Sequence, residues 1–140
     1  MAAEDNKAIV QRFYDEVINQ RRFDVLDDLL APHFRGFQLP HRNQSSSRPR
    51  FREILQEILS AFPDYHETIE DWIVAEDKIV TRWTFRGTHT GSPYFGVPAT
   101  GRPVIGTGID IFRLENGKLI EHWAEVDLFG IMSQLGKDPS

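Results

Sequence analysis

The chain changes character at Asp64, and that change limits its fold more than any other feature. Before it, apolar residues recur at helical spacing. Ile9, Val10, Phe13, Tyr14, Val17 and Ile18 form one stripe, predicting a helix over 5–20. Phe23, Leu26, Leu29 and Leu30 form a shorter one, which Pro32 is expected to end. "HFRGFQL" then reads as a short strand, and "PHRNQSSSRP", from Pro40 to Pro49, as a mobile, turn-rich loop. Pro49 suits a helix start, and Phe51, Ile54, Leu55, Ile58, Leu59 and Phe62 make a third amphipathic helix, closed by Pro63.

After Asp64 the β-branched and aromatic residues gather into four runs: "HETIEDWIVA", "KIVTRWTFRGTH", "RPVIGTGIDIFRL" and "KLIEHWAEVDLF". Asn116-Gly117 supplies the positive φ of a tight turn, so the last two runs pair as an antiparallel hairpin. "GIMSQLGKDPS" reads as a stub of helix and a frayed tail. Helices first and a strand meander after them predict an α+β fold, with the helices on one face of an antiparallel sheet. Such a sheet, strongly twisted, can curl around a pocket that the helices close. No repeat or linker interrupts the 140 residues, which read as one domain.

Composition narrows the function. A net charge of -5 argues against sequence-independent nucleic-acid binding, which needs a basic face. The absence of cysteine removes disulfides, thiolate nucleophiles and Cys-ligated metals together. His33, His41, His66, His89 and His122 show no metal-ligand spacing, so no metal is expected. No apolar run reaches spanning length and the N-terminus lacks the pattern of a signal peptide, which makes the cytoplasm the expected location. There is also no GxSxG, no P-loop and no GxGxxG after a strand.

The last strand alternates Leu119, Glu121, Trp123, Glu125 and Asp127 against Ile120, His122, Ala124 and Val126. Either the acidic side faces solvent, or Trp123 and Asp127 face a cavity where an apolar wall suits a carboxylate to general-base work. Asp110 is the only charge inside "VIGTGIDIF", either on an exposed face or a paired carboxylate that is a catalytic candidate. Tyr14 lies on the first helical stripe with a hydroxyl that needs a partner. Trp72, Trp83 and Trp123 are core residues or a flat binding wall. His89 sits where a strand breaks into a loop rich in glycine and proline that also carries Tyr94 and Phe95.

Three segments carry a resemblance: "NKAIVQRFYDEVINQRRFDVLDDLLAPHF", "GTHTG" with "GVPATGR", and "GKLIEHW" followed by Asp127 and "QLG". Together they resemble the SnoaL-like polyketide cyclases, of the nuclear-transport-factor-2-like superfamily. That resemblance implies a curved sheet and helices closing a cone-shaped cavity. It also implies ring closure of a polyketide-derived intermediate without cofactor or metal. Asp127 would match the pocket aspartate that removes a proton α to a carbonyl. Trp83, Trp123 and Tyr14 would line the cavity, and His89 would be a weaker candidate donor or acid.

The sequence departs from the family at "FRGFQLPH" and "SSSRPRF", which leaves other ring closures open, such as cycloaddition or epoxide opening. Epoxide chemistry needs two inward carboxylates, here Asp110 with Asp127. A non-catalytic small-ligand module is the third alternative. The loop from Thr90 to Arg102 is expected to cap the cone, with Tyr94 and Phe95 over a ligand or a partner. An open sheet face makes a homodimer the expected assembly.

Overall fold

The computed structural model describes residues 3–39 and 43–136. His41, with the rest of 40–42, and the tail at 137–140 lie outside them. Helix α1 (Ala3–Arg12) runs into a π-helical segment, Phe13–Ile18, whose wider turn is closed by Asn19 N–H donating to Tyr14 O at 3.0 Å. That segment buries Phe13, Tyr14, Val17 and Ile18. The single helix expected over 5–20 is therefore two helical forms in series.

Helix α2 (Phe23–Leu29) passes directly into strand β1 (Leu30–Phe37). Pro32 thus stands inside a strand rather than ending the helix. It is tolerated because β1 is an edge strand whose register shifts between Leu30 and Arg35, so its missing N–H breaks no ladder bond. Helix α3 (Arg48–Ala61) begins with its proline in the first turn and buries Phe51, Ile54 and Leu59. Each fully buried large apolar side chain of this kind contributes roughly 1.5–3 kcal/mol.

Strands β2 (His66–Val74), β3 (Lys78–Thr88), β4 (Pro103–Glu115) and β5 (Lys118–Val126) follow, then helix α4 (Leu128–Gln134). The sheet order is β1-β5-β4-β3-β2. Three neighbouring pairs are antiparallel, and β1 pairs with β5 in parallel, which the sequence-based expectation of an antiparallel sheet did not include. Asn116 and Gly117 adopt φ of 51° and 77°, closing the β4–β5 hairpin.

One sheet face is lined by Thr81, Trp83 and Phe85 of β3, Asp110 and Phe112 of β4, and His122 of β5, with α1, its π-helical continuation and α3 packed over them. Register shifts between Ile69 and Asp71 and between Arg113 and Leu114 bend the strands. Among the described residues no helix is long and apolar enough to cross a membrane.

Candidate active site

The curled sheet and α3 enclose a cavity of about 450 Å3. Its floor comes from inward-facing sheet positions: Glu67, Trp83, Phe85, Asp110, His122, Ala124 and Val126. Phe13, Phe51, Ile54, Leu55 and Ile58 close the helical side. No lysine or arginine is among the described lining residues, whereas the carboxylates Glu57, Glu67 and Asp110 are.

Two glycines of β4 make the aromatic wall possible. A Cβ on Gly108 would stand 2.2 Å from Trp83 Cζ2, and one on Gly106 would stand 2.2 Å from Phe85 Cε1. The rings therefore lie flat on bare backbone. Trp83 has no hydrogen-bond partner for its buried Nε1.

Asp110 is the centre of the polar floor. It is 5% exposed, opposite Thr81 on β3 and Ala124 on β5. The π-helical segment delivers Tyr14 behind it, and the Tyr14 hydroxyl donates to Asp110 Oδ2 at 2.5 Å while also lying 2.6 Å from Thr81 Oγ1. Burial, then the charge of Asp110, holds the Tyr14 phenol well above its ordinary pKa, so it stays a neutral donor. On the other side His122 Nε2 lies 3.1 Å from Asp110 Oδ1. That contact is close enough for an ion pair but off the line a hydrogen bond needs, and neither ring nitrogen has a directional partner. The imidazole is clamped between rings instead, stacked on Phe112 at 4.7 Å and edge-on to Phe51 at 5.3 Å.

A second carboxyl enters from β2. Glu67 is 7% exposed and accepts from the Tyr65 hydroxyl at 3.0 Å. Burial first, and then the charge of Asp110, pushes its pKa well above the ordinary carboxyl value, outweighing the opposing hydrogen bond from Tyr65.

The structure separates the residues singled out in the sequence. Asp110, Trp83, Tyr94 and Phe95 line the cavity, and Tyr14 stands directly behind Asp110. Asp127 does not: it is exposed, one residue beyond β5, and its side chain caps α4 by accepting from Gly130 N–H at 3.0 Å. The inward residues of β5 are His122, Ala124 and Val126, so the acidic side of the alternation faces away from the cavity. For the same reason Trp123 leaves the cavity and stacks on Phe37 of the neighbouring β1, ring centroids 5.5 Å apart. Asp110 and Asp127 therefore share no cavity.

His89 is fully buried but pins the loop rather than lining the pocket. Its ring nitrogens lie 3.3 Å from Thr100 Oγ1 and 3.2 Å from Ser92 O, and the ring packs against Phe62. The loop ends are tied by His89 N–H to Arg102 O at 2.9 Å. Gly91 and Ser92 donate to the carbonyls of Ala61 and Ser60 at the end of α3. Only glycine fits at 91, where a Cβ would meet Ser60 O at 1.8 Å. Docked in this way, the loop puts Ser92, Pro93, Tyr94 and Phe95 into the cavity wall.

Sequence reasoning missed His122 and Glu67. The one available signal was a lone polar residue on an otherwise apolar face of an alternating strand, which describes His122. Glu67 gave none, because "HETIEDW" carries acidic residues on both faces. Among the described residues no group of three or more His, Asp or Glu is placed to hold a metal ion.

A curved sheet closed by N-terminal helices around an apolar cavity with a buried polar floor defines a class: α+β cone proteins of the nuclear-transport-factor-2-like kind. The chain belongs to the SnoaL-like polyketide cyclase family, whose model matches residues 8–135. TsrD from Streptomyces laurentii is 31% identical, with a TM-score of 0.85 and 98% of each chain covered. IdmH from Streptomyces antibioticus, described as a candidate polyketide cyclase, is 28% identical with a TM-score of 0.81, covering 93% of this chain and 97% of its own. A candidate SnoaL-like polyketide cyclase from Jannaschia sp. CCS1 is 25% identical with a TM-score of 0.87, covering 97% and 94%. No curated protein matches the chain.

Proposed function

We propose that this chain, acting as one domain, closes a ring in an apolar, polyketide-derived substrate by acid–base chemistry. Asp110 is the general base and His122 the adjacent proton carrier. The observation that carries the reading is a buried carboxylate in the wall of an apolar cavity, fixed by Tyr14 and facing an imidazole without a hydrogen-bond partner. Asp110 removes a proton α to a carbonyl, and the enolate attacks a second carbonyl of the same molecule. The walls contribute by holding a flexible chain in a reactive fold and excluding water. Asp127, exposed and engaged in capping, takes no part.

The test uses 2-tetralone, a flat neutral ketone, whose α-hydrogens exchange with D2O when a base and an acid enolise it. The wild-type protein should catalyse the exchange, and Asp110→Asn should lose roughly 100-fold or more of the rate. A folded Asp110→Asn protein with undiminished exchange sinks this assignment.

One observation favours a second reading. Two carboxyls, Asp110 and Glu67, face inward, and a pair of that kind suits epoxide opening. Turnover of styrene oxide to its diol, without exchange of tetralone, would select it. Binding without either reaction would select a ligand-binding module.

We also infer a homodimer through the outer face of the sheet, where Ile105 and Ile109 of β4 are 47% and 46% exposed. Sedimentation of wild type against an Ile105→Asp/Ile109→Asp variant tests it. A monomeric wild type rules it out.

A further inference from the structure

The acid–base reading leaves one buried group without a task. Glu67 sits at the start of β2, and its backbone is held on both sides by Asn19. Glu67 N–H donates to Asn19 Oδ1 at 2.8 Å, and Asn19 Nδ2 donates to Glu67 O at 2.9 Å. That clamp reaches from the end of the π-helical segment, so the strand cannot roll to carry the side chain outward. Glu67 pairs in register with Phe85, and Tyr65, its hydrogen-bond partner, stacks on the same Phe85 ring at 4.5 Å. The carboxyl therefore emerges from an aromatic shelf into the cavity that Asp110 enters from β4. A leucine or methionine would fill this position without the several kcal/mol that burying a polar group costs when it is poorly paired. Neighbouring acidic residues of β2, Glu70 and Asp71, are exposed as such residues usually are.

We propose that Glu67 is the general acid of this site, a neutral carboxyl that protonates the substrate oxygen while Asp110 takes the proton from carbon. The proposal rests on the acid–base reading above and assigns the proton for the substrate oxygen to Glu67, with His122 beside Asp110 carrying the abstracted proton onward. The charge of Asp110 favours the neutral form of Glu67, and Glu57 and His122 line the same cavity from α3 and β5. Tyr65 stands just before β2, Tyr14 reaches Glu67 from the helix, Asp110 from β4, and no lysine or arginine is among the described lining residues. Arg21 interacts with Tyr65, not with Glu67 directly.

The step balances within one substrate molecule. The C–H bond α to the first carbonyl breaks, its proton goes to the Asp110 carboxylate, and its electron pair becomes the enolate. The enolate carbon bonds to the second carbonyl carbon. The π pair of that carbonyl moves to its oxygen, which takes the Glu67 proton as the O–H bond forms. The result is a cyclic β-hydroxy ketone, a protonated Asp110 and an ionised Glu67. Passing the proton from Asp110 back to Glu67 restores the starting state, so the net reaction is an isomerisation that consumes nothing. The substrate class follows: a neutral dicarbonyl, since an anionic group would face the carboxyls Glu57, Glu67 and Asp110 with no lysine or arginine among the described lining residues.

Two measurements test this together. The first follows the carboxyl carbons of wild-type protein labelled with 13C-glutamate, with Glu67→Gln identifying the resonance. The second is tetralone exchange by wild type and Glu67→Gln across pH. Glutamine keeps the shape and can donate a hydrogen bond but cannot give up a proton.

The expected result is a Glu67 carboxyl still protonated at neutral pH. Wild-type exchange should fall at high pH as that proton is lost, and Glu67→Gln should exchange roughly 100-fold more slowly without that limb. A Glu67 resonance already ionised at neutral pH overturns the proposal, and that measurement needs no functional variant. Wild-type exchange that Glu67→Gln leaves unchanged overturns it while leaving Asp110 as the base. No exchange by the wild type overturns the acid–base reading itself, and the role of Glu67 with it.

Discussion

Burying Glu67 uncharged has a consequence for stability that can be measured without any substrate. Its pKa in the folded protein lies well above the ordinary value of 4.5 that it regains on unfolding, chiefly through burial. Between those two values the folded state keeps a proton that the unfolded chain has lost. Stability therefore falls as pH rises, with a slope approaching about 1.4 kcal/mol per pH unit for one proton. The contribution is fully present below the unfolded value and is lost through the folded one.

Glu67→Gln removes the titration and keeps the shape. Urea unfolding of both proteins at a series of pH values gives the difference directly. Wild type should lose stability relative to Glu67→Gln as pH rises above the unfolded value, with a limiting slope of about 1.4 kcal/mol per pH unit inside the window. Because the charge of Asp110 is the second cause of the shift, the window should narrow in an Asp110→Asn background. A difference that stays flat as pH rises above the ordinary value of 4.5, or that slopes the other way, would mean that Glu67 is ionised in the folded protein, and the reasoning fails.

Three further outcomes follow from the same geometry. Asp127→Ala should cost about 1 kcal/mol in urea unfolding through the lost cap, whereas Asp127→Asn, which can still cap, should leave tetralone exchange unaltered; loss of exchange in Asp127→Asn would return that residue to the chemistry. Tyr14→Phe leaves Asp110 Oδ2 without its donor and should destabilise the fold by about 1–3 kcal/mol while slowing exchange; unaltered values for both would remove Tyr14 as the group that positions Asp110. Replacing Tyr94 and Phe95 together by alanine should weaken tetralone binding, measured by NMR line broadening, because both rings form cavity wall; undiminished binding would reduce the loop to a connection.

Much of the fold was legible before any coordinates. Helical spacing over Ile9–Ile18 and Phe51–Phe62, β-rich runs after Asp64 and the Asn116-Gly117 turn are local signals, set by side-chain period and by which residues tolerate positive φ. They were enough for an α+β sheet closed by helices. Asp110 was visible too, as one charge in an apolar strand.

What tertiary structure alone decided was direction and proximity. An alternating strand states which residues share a face but not which face turns inward. His122 rather than Asp127 enters the cavity because the apolar side of β5 must pack beneath α3. The parallel pairing of β1 with β5 is a contact between segments far apart in the chain, and no local pattern encodes it. Glu67 became a buried acid only when β2 laid it beside Tyr65 and within reach of the charge of Asp110, since a carboxyl's protonation depends on burial and neighbouring charge.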